Sequence, residues 1–161
     1  MNADDALFEL SMLNAESSTA TFDDFYIWGS NKGLPTEILT RLKVVWDYTK
    51  DIADETVALG KIIVRAIKDF LQNNPHLAAG IALGAVVGLL SGSLPFIGTL
   101  LLPVSTVITT VYGAGVGAAI DNGESVSDST SPMVAAIHLA KKALEFLLVI
   151  LQTLAAYFAA E

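Results

Sequence analysis

His76 and His138 are the only imidazoles in the chain, there is no cysteine, and no carboxylate stands at metal-ligand spacing from either histidine. Thiolate metal sites, thiol catalysis and disulfides are excluded outright. Gly113-Ala114-Gly115-Val116-Gly117 follows a β-branched run, but its spacing is not that of a dinucleotide loop and no strand–turn–helix unit surrounds it. Gly60-Lys61 lacks the upstream glycine of a phosphate loop. Asp51, Asp54 and Glu55 read as a charge run on a solvated helix face. With no nucleophile–base pair to propose, the sequence predicts no enzyme, no metal, no cofactor and no small-molecule substrate.

The chemistry that the spacing does support is close approach of one helix backbone to another. Gly80, Gly84, Gly88 and Gly92 recur every fourth residue, and Gly113 and Gly117 repeat the interval. Positions four apart share a helix face, so the first set makes a groove without side chains. Each glycine costs about 1 kcal/mol relative to alanine in a helix interior. A run of them in register is explained if they let helices pack closely in lipid, where hydrophobic association between helices is weak. The groove packs either the two arms of one hairpin or neighbouring subunits of a homo-oligomer.

The elements that must carry these glycines follow from charge. Between Asp69 and Asp121 there is no Asp, Glu, Lys or Arg. A membrane-crossing helix needs about 20 mostly apolar residues, so this stretch is long enough for two. Leu77–Leu94 and Phe96–Ile120 are the candidate spans, turning through Ser93, Pro95 and Gly98. In the second, Pro103 introduces a kink, and Ser105, Thr106, Thr109 and Thr110 are the candidate polar lining of a pore.

The segments around this hairpin divide the chain. Residues 1–34 are an acidic N-terminal segment, with Leu7, Phe8, Leu10 and Leu13 suggesting a short amphipathic helix. Its aromatic cluster (Phe22, Phe25, Tyr26, Trp28) is expected to pack onto the next helix. Residues 35–74 read as one long amphipathic helix opened by Pro35. Leu42, Thr49, Thr56, Ile63 and Phe70 fall at heptad intervals, and so do Val45, Ile52, Leu59 and Ala66. Asn73-Asn74-Pro75 ends that helix. The hairpin occupies 75–120, an acidic loop 121–131, and a C-terminal apolar helix 132–161, opened by Ser131-Pro132. Lys61, Arg65 and Lys68 before the hairpin, and Lys141 and Lys142 after it, are the candidate membrane-interface anchors. The first three place the 35–74 helix on the cytoplasmic side.

Composition agrees with an apolar environment. The 161 residues are 53% apolar and 16% charged, with a mean hydropathy of +0.56, whereas a soluble domain carries about 25% charged residues. The net charge of −8 argues against nucleic acid as a partner. Asp4, Asp5 and Glu9 stand where a Sec-type signal peptide would be basic.

The stretch Asp69–Gly92 (DFLQNNPHLAAGIALGAVVGLLSG) resembles the C-terminal region of the YqjD/ElaB family of bacterial inner-membrane proteins, in which an amphipathic helix, an Asn-Pro break and a glycine-zipper membrane helix follow one another. That family ends soon after one crossing, whereas this chain continues through two further apolar segments. The hairpin is also similar in plan to the buried helical pair of colicin-type pore-forming domains, although this chain is too short for their full shell of helices. Together these readings predict an all-α protein of a bacterial inner membrane or a target membrane, with the lipid bilayer and further copies of itself as partners. Permeabilising the bilayer is the leading expectation. A non-conducting anchor or scaffold is the second, and a helical assembly that buries the hairpin in its own core the third.

Overall fold

The computed structural model describes residues 1–113 and 132–159 and is mostly helical. In chain order the elements are α1 (Ala3–Ser17), α2 (Phe22–Asn31), α3 (Thr36–Trp46), β1 (Lys50–Ile52), β2 (Glu55–Val57), α4 (Leu59–Asn73), α5 (Ala79–Ser93), α6 (Pro95–Tyr112), α7 (Pro132–Thr153) and α8 (Ala155–Ala159). Two compact units result, Met1–Ala66 with Phe146–Glu161, and Ile67–Glu145. Gly117, the 121–131 loop and Ser131 lie outside the described residues.

In the first unit the helix starts follow the local chemistry. Asn2 caps α1, its Oδ1 accepting from the Asp5 amide at 2.8 Å, and Thr21 caps α2 through the Asp24 amide at 3.2 Å. The α2–α3 corner is a Schellman stop: the Leu34 amide donates to Gly29 O and the Gly33 amide to Ser30 O, with Gly33 at φ +84°. Pro35 then stands as the N-cap residue of α3. The aromatic cluster packs on α3 as its composition suggests. Phe22 meets the Trp46 ring edge-on at 5.7 Å and Phe25 stacks on it at 6.2 Å.

The single long helix expected over 35–74 is corrected to two helices, α3 and α4, separated by the β1–β2 hairpin. The heptad positions that fall in the gap, Thr49 and Thr56, are both exposed, so the seam has nothing to bury there. What the segment does bury follows a period of two: Ile52 and Val57 are 2% exposed, while Asp51 and Thr56 pair across the strands on the solvent side. The two-residue turn places Ala53 at φ 50° and Asp54 at φ 68°, the pair of positive φ values that a type I′ hairpin requires. Aspartate tolerates that region, but Ala53 does not favour it and is held there by what surrounds the turn.

The outer edge of β2 is covered by a side chain. Asn14 of α1 donates from Nδ2 to Thr56 O at 3.1 Å and accepts at Oδ1 from the Ala58 amide at 2.8 Å. One carboxamide thus meets the strand as a peptide group of a neighbouring strand would. Glu55 completes the junction, accepting from Ser11 Oγ at 2.8 Å and Asn14 Nδ2 at 3.0 Å.

Folding α4 back on α3 needs a close crossing, and Gly60 provides it. A Cβ at Gly60 would fall onto the Val45 carbonyl, and the Gly60 amide donates to Tyr48 O at 2.9 Å. Backbone cannot step aside as a flexible side chain can, so Gly60→Ala is expected to cost about 2–3 kcal/mol and lower the melting temperature by about 5–10 °C, read by circular dichroism. Replacing Ala53-Asp54 by Asn-Gly should act in the opposite sense, raising stability by about 1 kcal/mol in the same measurement.

Candidate functional site

The apolar hairpin is α5 followed by α6. Asn74 closes α4, donating from Nδ2 to Phe70 O at 2.9 Å, and exposed Pro75 and His76 lead into α5. α5 has no polar face to present. The unbroken run from Ala82 to Gly88 is buried, together with Gly80 and Leu90. A helix apolar all round is stable only when it is covered all round. At 15 residues it extends about 22 Å, short of a bilayer core of about 30 Å.

The turn between the arms is tighter than the sequence suggests. α5 runs through Ser93, Leu94 alone is extended (φ −144°, ψ 142°), and Pro95 already occupies the first turn of α6. Ser93 Oγ donates to Leu90 O at 2.6 Å, and the Ile97 and Gly98 amides both donate to Leu94 O. Gly98 therefore belongs to the helix rather than to the turn. Its work is close packing, since a Cβ there would stand 2.9 Å from Ser91 O.

Glycine also sets the approach at the other end of the hairpin. A Cβ on Gly80 would lie 2.5 Å from Cδ1 and 2.7 Å from Cγ of Tyr112, so the tyrosine ring rests directly on the α5 backbone. Gly84 and Gly88 are buried too, whereas Gly92 is exposed and a Cβ there would meet nothing within 4 Å. The four-residue stripe is thus divided between contacts inside this chain and open space. Gly113 stands at the end of α6: it sits at φ +105°, its amide donating to Thr109 O at 2.9 Å, with nothing within 4 Å of its missing side chain among the described residues. The signal for Tyr112 was available in the fold-back itself, because an antiparallel turn at Leu94 brings the start of α5 within a helical turn of the end of α6.

α6 is two-faced. Ile97, Leu101, Val104 and Ile108 are fully buried, at the spacing of one helix stripe, and among the described residues α5 packs most extensively against α6. The opposite stripe carries Leu102, Pro103, Thr106, Thr109 and Thr110, all exposed, with Leu102 at 60%. Of the expected polar lining, Thr106, Thr109 and Thr110 do share that outward face, and Ser105 lies half-buried at its margin. Their hydroxyls are turned inward to the helix. Thr106 donates to Leu102 O at 3.0 Å, Thr109 to Ser105 O at 3.1 Å and Thr110 to Thr106 O at 3.0 Å; Thr99 does the same to Pro95 O at 3.2 Å. Each such bond spends the hydroxyl proton on a carbonyl one turn back. α6 is also the one helix among the described residues that is long and apolar enough to cross a membrane, and only 22% of its 18 residues are buried. α7 is longer, at 22 residues, but bears Lys141, Lys142 and Glu145 at its middle.

The basic residues expected as interface anchors are variously placed. Lys61 holds its ammonium 5.8 Å from the centre of the Trp46 ring, and Arg65 donates to the buried Ser17 hydroxyl at 2.9 Å, so both are engaged within the first unit. Lys68 and Lys141 are half-buried and Lys142 is exposed. No group of three or more His, Asp and Glu among the described residues could hold a metal ion. No family model, curated protein or solved structure matches the chain.

The two glycines at Gly80 and Gly92 make a paired test. Gly80→Ala is expected to destabilise by about 1–3 kcal/mol, and part of that cost should vanish when Tyr112→Ala is made in the same chain. Gly92→Ala, facing open space on the same helix, should be neutral or stabilise by up to about 1 kcal/mol. Thermal or denaturant unfolding of Gly80→Ala, Tyr112→Ala, their double variant and Gly92→Ala reads the difference.

Proposed function

We propose that this chain is a bilayer-inserting protein that permeabilises the membrane it enters, with α6 as the inserting element and α5 as its backing. The observation that carries the reading is the outward face of α6. It has no ionisable residue, exposes Leu102 and Val111, and offers threonine hydroxyls whose protons are already committed to its own backbone. In water such a face forfeits the burial of its apolar area, worth about 25 cal/mol per Å². In hydrocarbon its outward threonines leave no hydroxyl proton unsatisfied, which is the condition a lipid-facing helix must meet. The 18 residues of α6 extend about 27 Å, close to the thickness of the hydrocarbon layer.

A second reading, that the chain anchors or shapes a membrane without conducting, is favoured by those same hydroxyl bonds. A conducting pore needs donors and acceptors facing water, and threonines bonded back to their helix supply fewer of them.

Flotation with phospholipid vesicles and release of a trapped dye separate these outcomes. Wild-type protein is expected to float with the vesicles and to empty them. Leu102→Lys and Thr106→Lys place a charge on the exposed stripe, where folding is least disturbed, and each should abolish flotation and release while leaving the circular dichroism spectrum unchanged. Flotation without release would select the anchoring reading. Wild-type protein that stays with the aqueous fraction would overturn both.

A further inference from the structure

Within the first compact unit, α1 and the β1–β2 ribbon leave a half-open cleft of about 240 Å³ between them. Its floor is apolar: Leu10 is 1% exposed, and Ile52 and Val57 are 2% exposed. Phe8 also lines it, with 62% of its surface in the open, and Met12, one helical turn further on, is 46% exposed. Glu55 is the one ionisable residue lining the cleft, and it is half-buried. Its two oxygens are fixed in place, Oε1 by the Ser11 hydroxyl at 2.8 Å and Oε2 by the Asn14 carboxamide at 3.0 Å. No cation pairs with it among the described residues.

Drawing a carboxylate partly out of water costs free energy that an opposite charge offsets. Both donors to Glu55 are neutral, so its charge stands uncompensated in an apolar setting. We propose that this cleft seats the side chain of a lysine presented by a partner polypeptide, with its stem on Leu10, Ile52 and Val57 and its ammonium on Glu55. The size agrees. Pockets for drug-sized ligands begin at about 300 Å³, and this smaller space suits a single long side chain.

Charge complementarity selects a cation. α1 carries Asp4, Asp5, Glu9 and Glu16 and no basic residue, and the ribbon adds Asp51 and Asp54 against Lys50 alone. Lys50 shares the ribbon face of Glu55 but makes no ion pair with it. A cleft surrounded by charge of one sign draws the opposite sign to it. The geometry of Glu55 favours lysine over arginine: each oxygen already accepts one bond, which obstructs the two-pronged approach of a guanidinium, whereas an ammonium needs a single lone pair. Phe8 and Met12 favour a polypeptide over a free amine. They continue the apolar surface along α1, where residues flanking the lysine would lie. Every residue of the site belongs to the first unit, so the inference does not rest on the bilayer reading.

Titrating the full chain with the acetylated, amidated tripeptide Leu-Lys-Leu, followed by amide chemical shifts, tests this. Shifts are expected at residues 7–11 and 52–57. Norleucine in place of the peptide's lysine keeps the stem and removes the ammonium, and should weaken binding about tenfold. Glu55→Gln should weaken the lysine peptide by a similar factor and bind the two peptides equally. Phe8→Ala, a change in the open, should weaken both peptides while leaving the melting temperature as it was. If Glu55→Gln unfolds the chain, Phe8→Ala and the norleucine comparison still decide. Equal binding of the two peptides by the wild-type chain would overturn the ion pair, and with it the proposal. Binding of n-butylamine as tight as that of the lysine peptide would overturn the polypeptide occupant. No shift at residues 7–11 and 52–57 with millimolar peptide would overturn the site altogether.

Discussion

A helix that is apolar on every side cannot be left partly wet, and α5 imposes that condition on its surroundings. From Ala82 to Gly88 it offers no residue that water would solvate, and all of those residues are buried. Glycine is the means by which neighbours come close enough to cover it. The Tyr112 ring lies against Gly80 at one end, and Gly98 presses on the Ser91 carbonyl at the other, so the two arms touch where a side chain would hold them apart. α6 inherits its two-faced character from this contact. Its inner stripe is committed to covering α5, and its outer stripe is what remains. The physical question of function is therefore what covers that remainder; the proposal of a bilayer rests on the absence of charge along it.

Much of the helical order was legible in the sequence because the chain punctuates itself strongly. Pro35, the Asn73-Asn74-Pro75 break, Pro95 and Pro132 each fall at a helix boundary, where a missing amide or a restricted preceding residue is tolerated. The hairpin between α5 and α6 was legible for the same reason, although its turn proved to be a single extended residue. The β1–β2 hairpin was not legible. Heptad spacing through Val45, Ile52 and Leu59 fits a helix as well as it fits a helix, a strand and a second helix, because those positions are buried in either arrangement. Ala53-Asp54 gave only a weak turn signal, since alanine disfavours the positive φ it adopts and aspartate tolerates it without requiring it. Gly60 entered the sequence reading only as half of a rejected phosphate-loop pair, whereas the structure sets it against the Val45 carbonyl, which the hairpin brings alongside it.

The site was legible as a region and less so as a set of roles. Spacing of four made equal partners of Gly80, Gly84, Gly88 and Gly92, but period alone does not say what stands opposite. The first lies under an aromatic ring and the last has no neighbour within 4 Å of its missing side chain among the described residues. Lys61 and Arg65 show a related limit. Counted as charges they belong at a membrane interface, yet one is drawn over Trp46 and the other to Ser17, because a cation beside an aromatic face or a buried hydroxyl gains more than charge counting registers.

The carboxamide of Asn14 has a consequence beyond docking α1. A two-stranded ribbon has two unpaired margins, and a free margin is a template on which a strand from another molecule can grow. By occupying Thr56 O and the Ala58 amide, Asn14 stops that templating on the β2 side with a group that has no further peptide to extend. For a chain this rich in β-branched and aliphatic residues, that single amide is a guard against cross-β stacking as much as a joint between two elements.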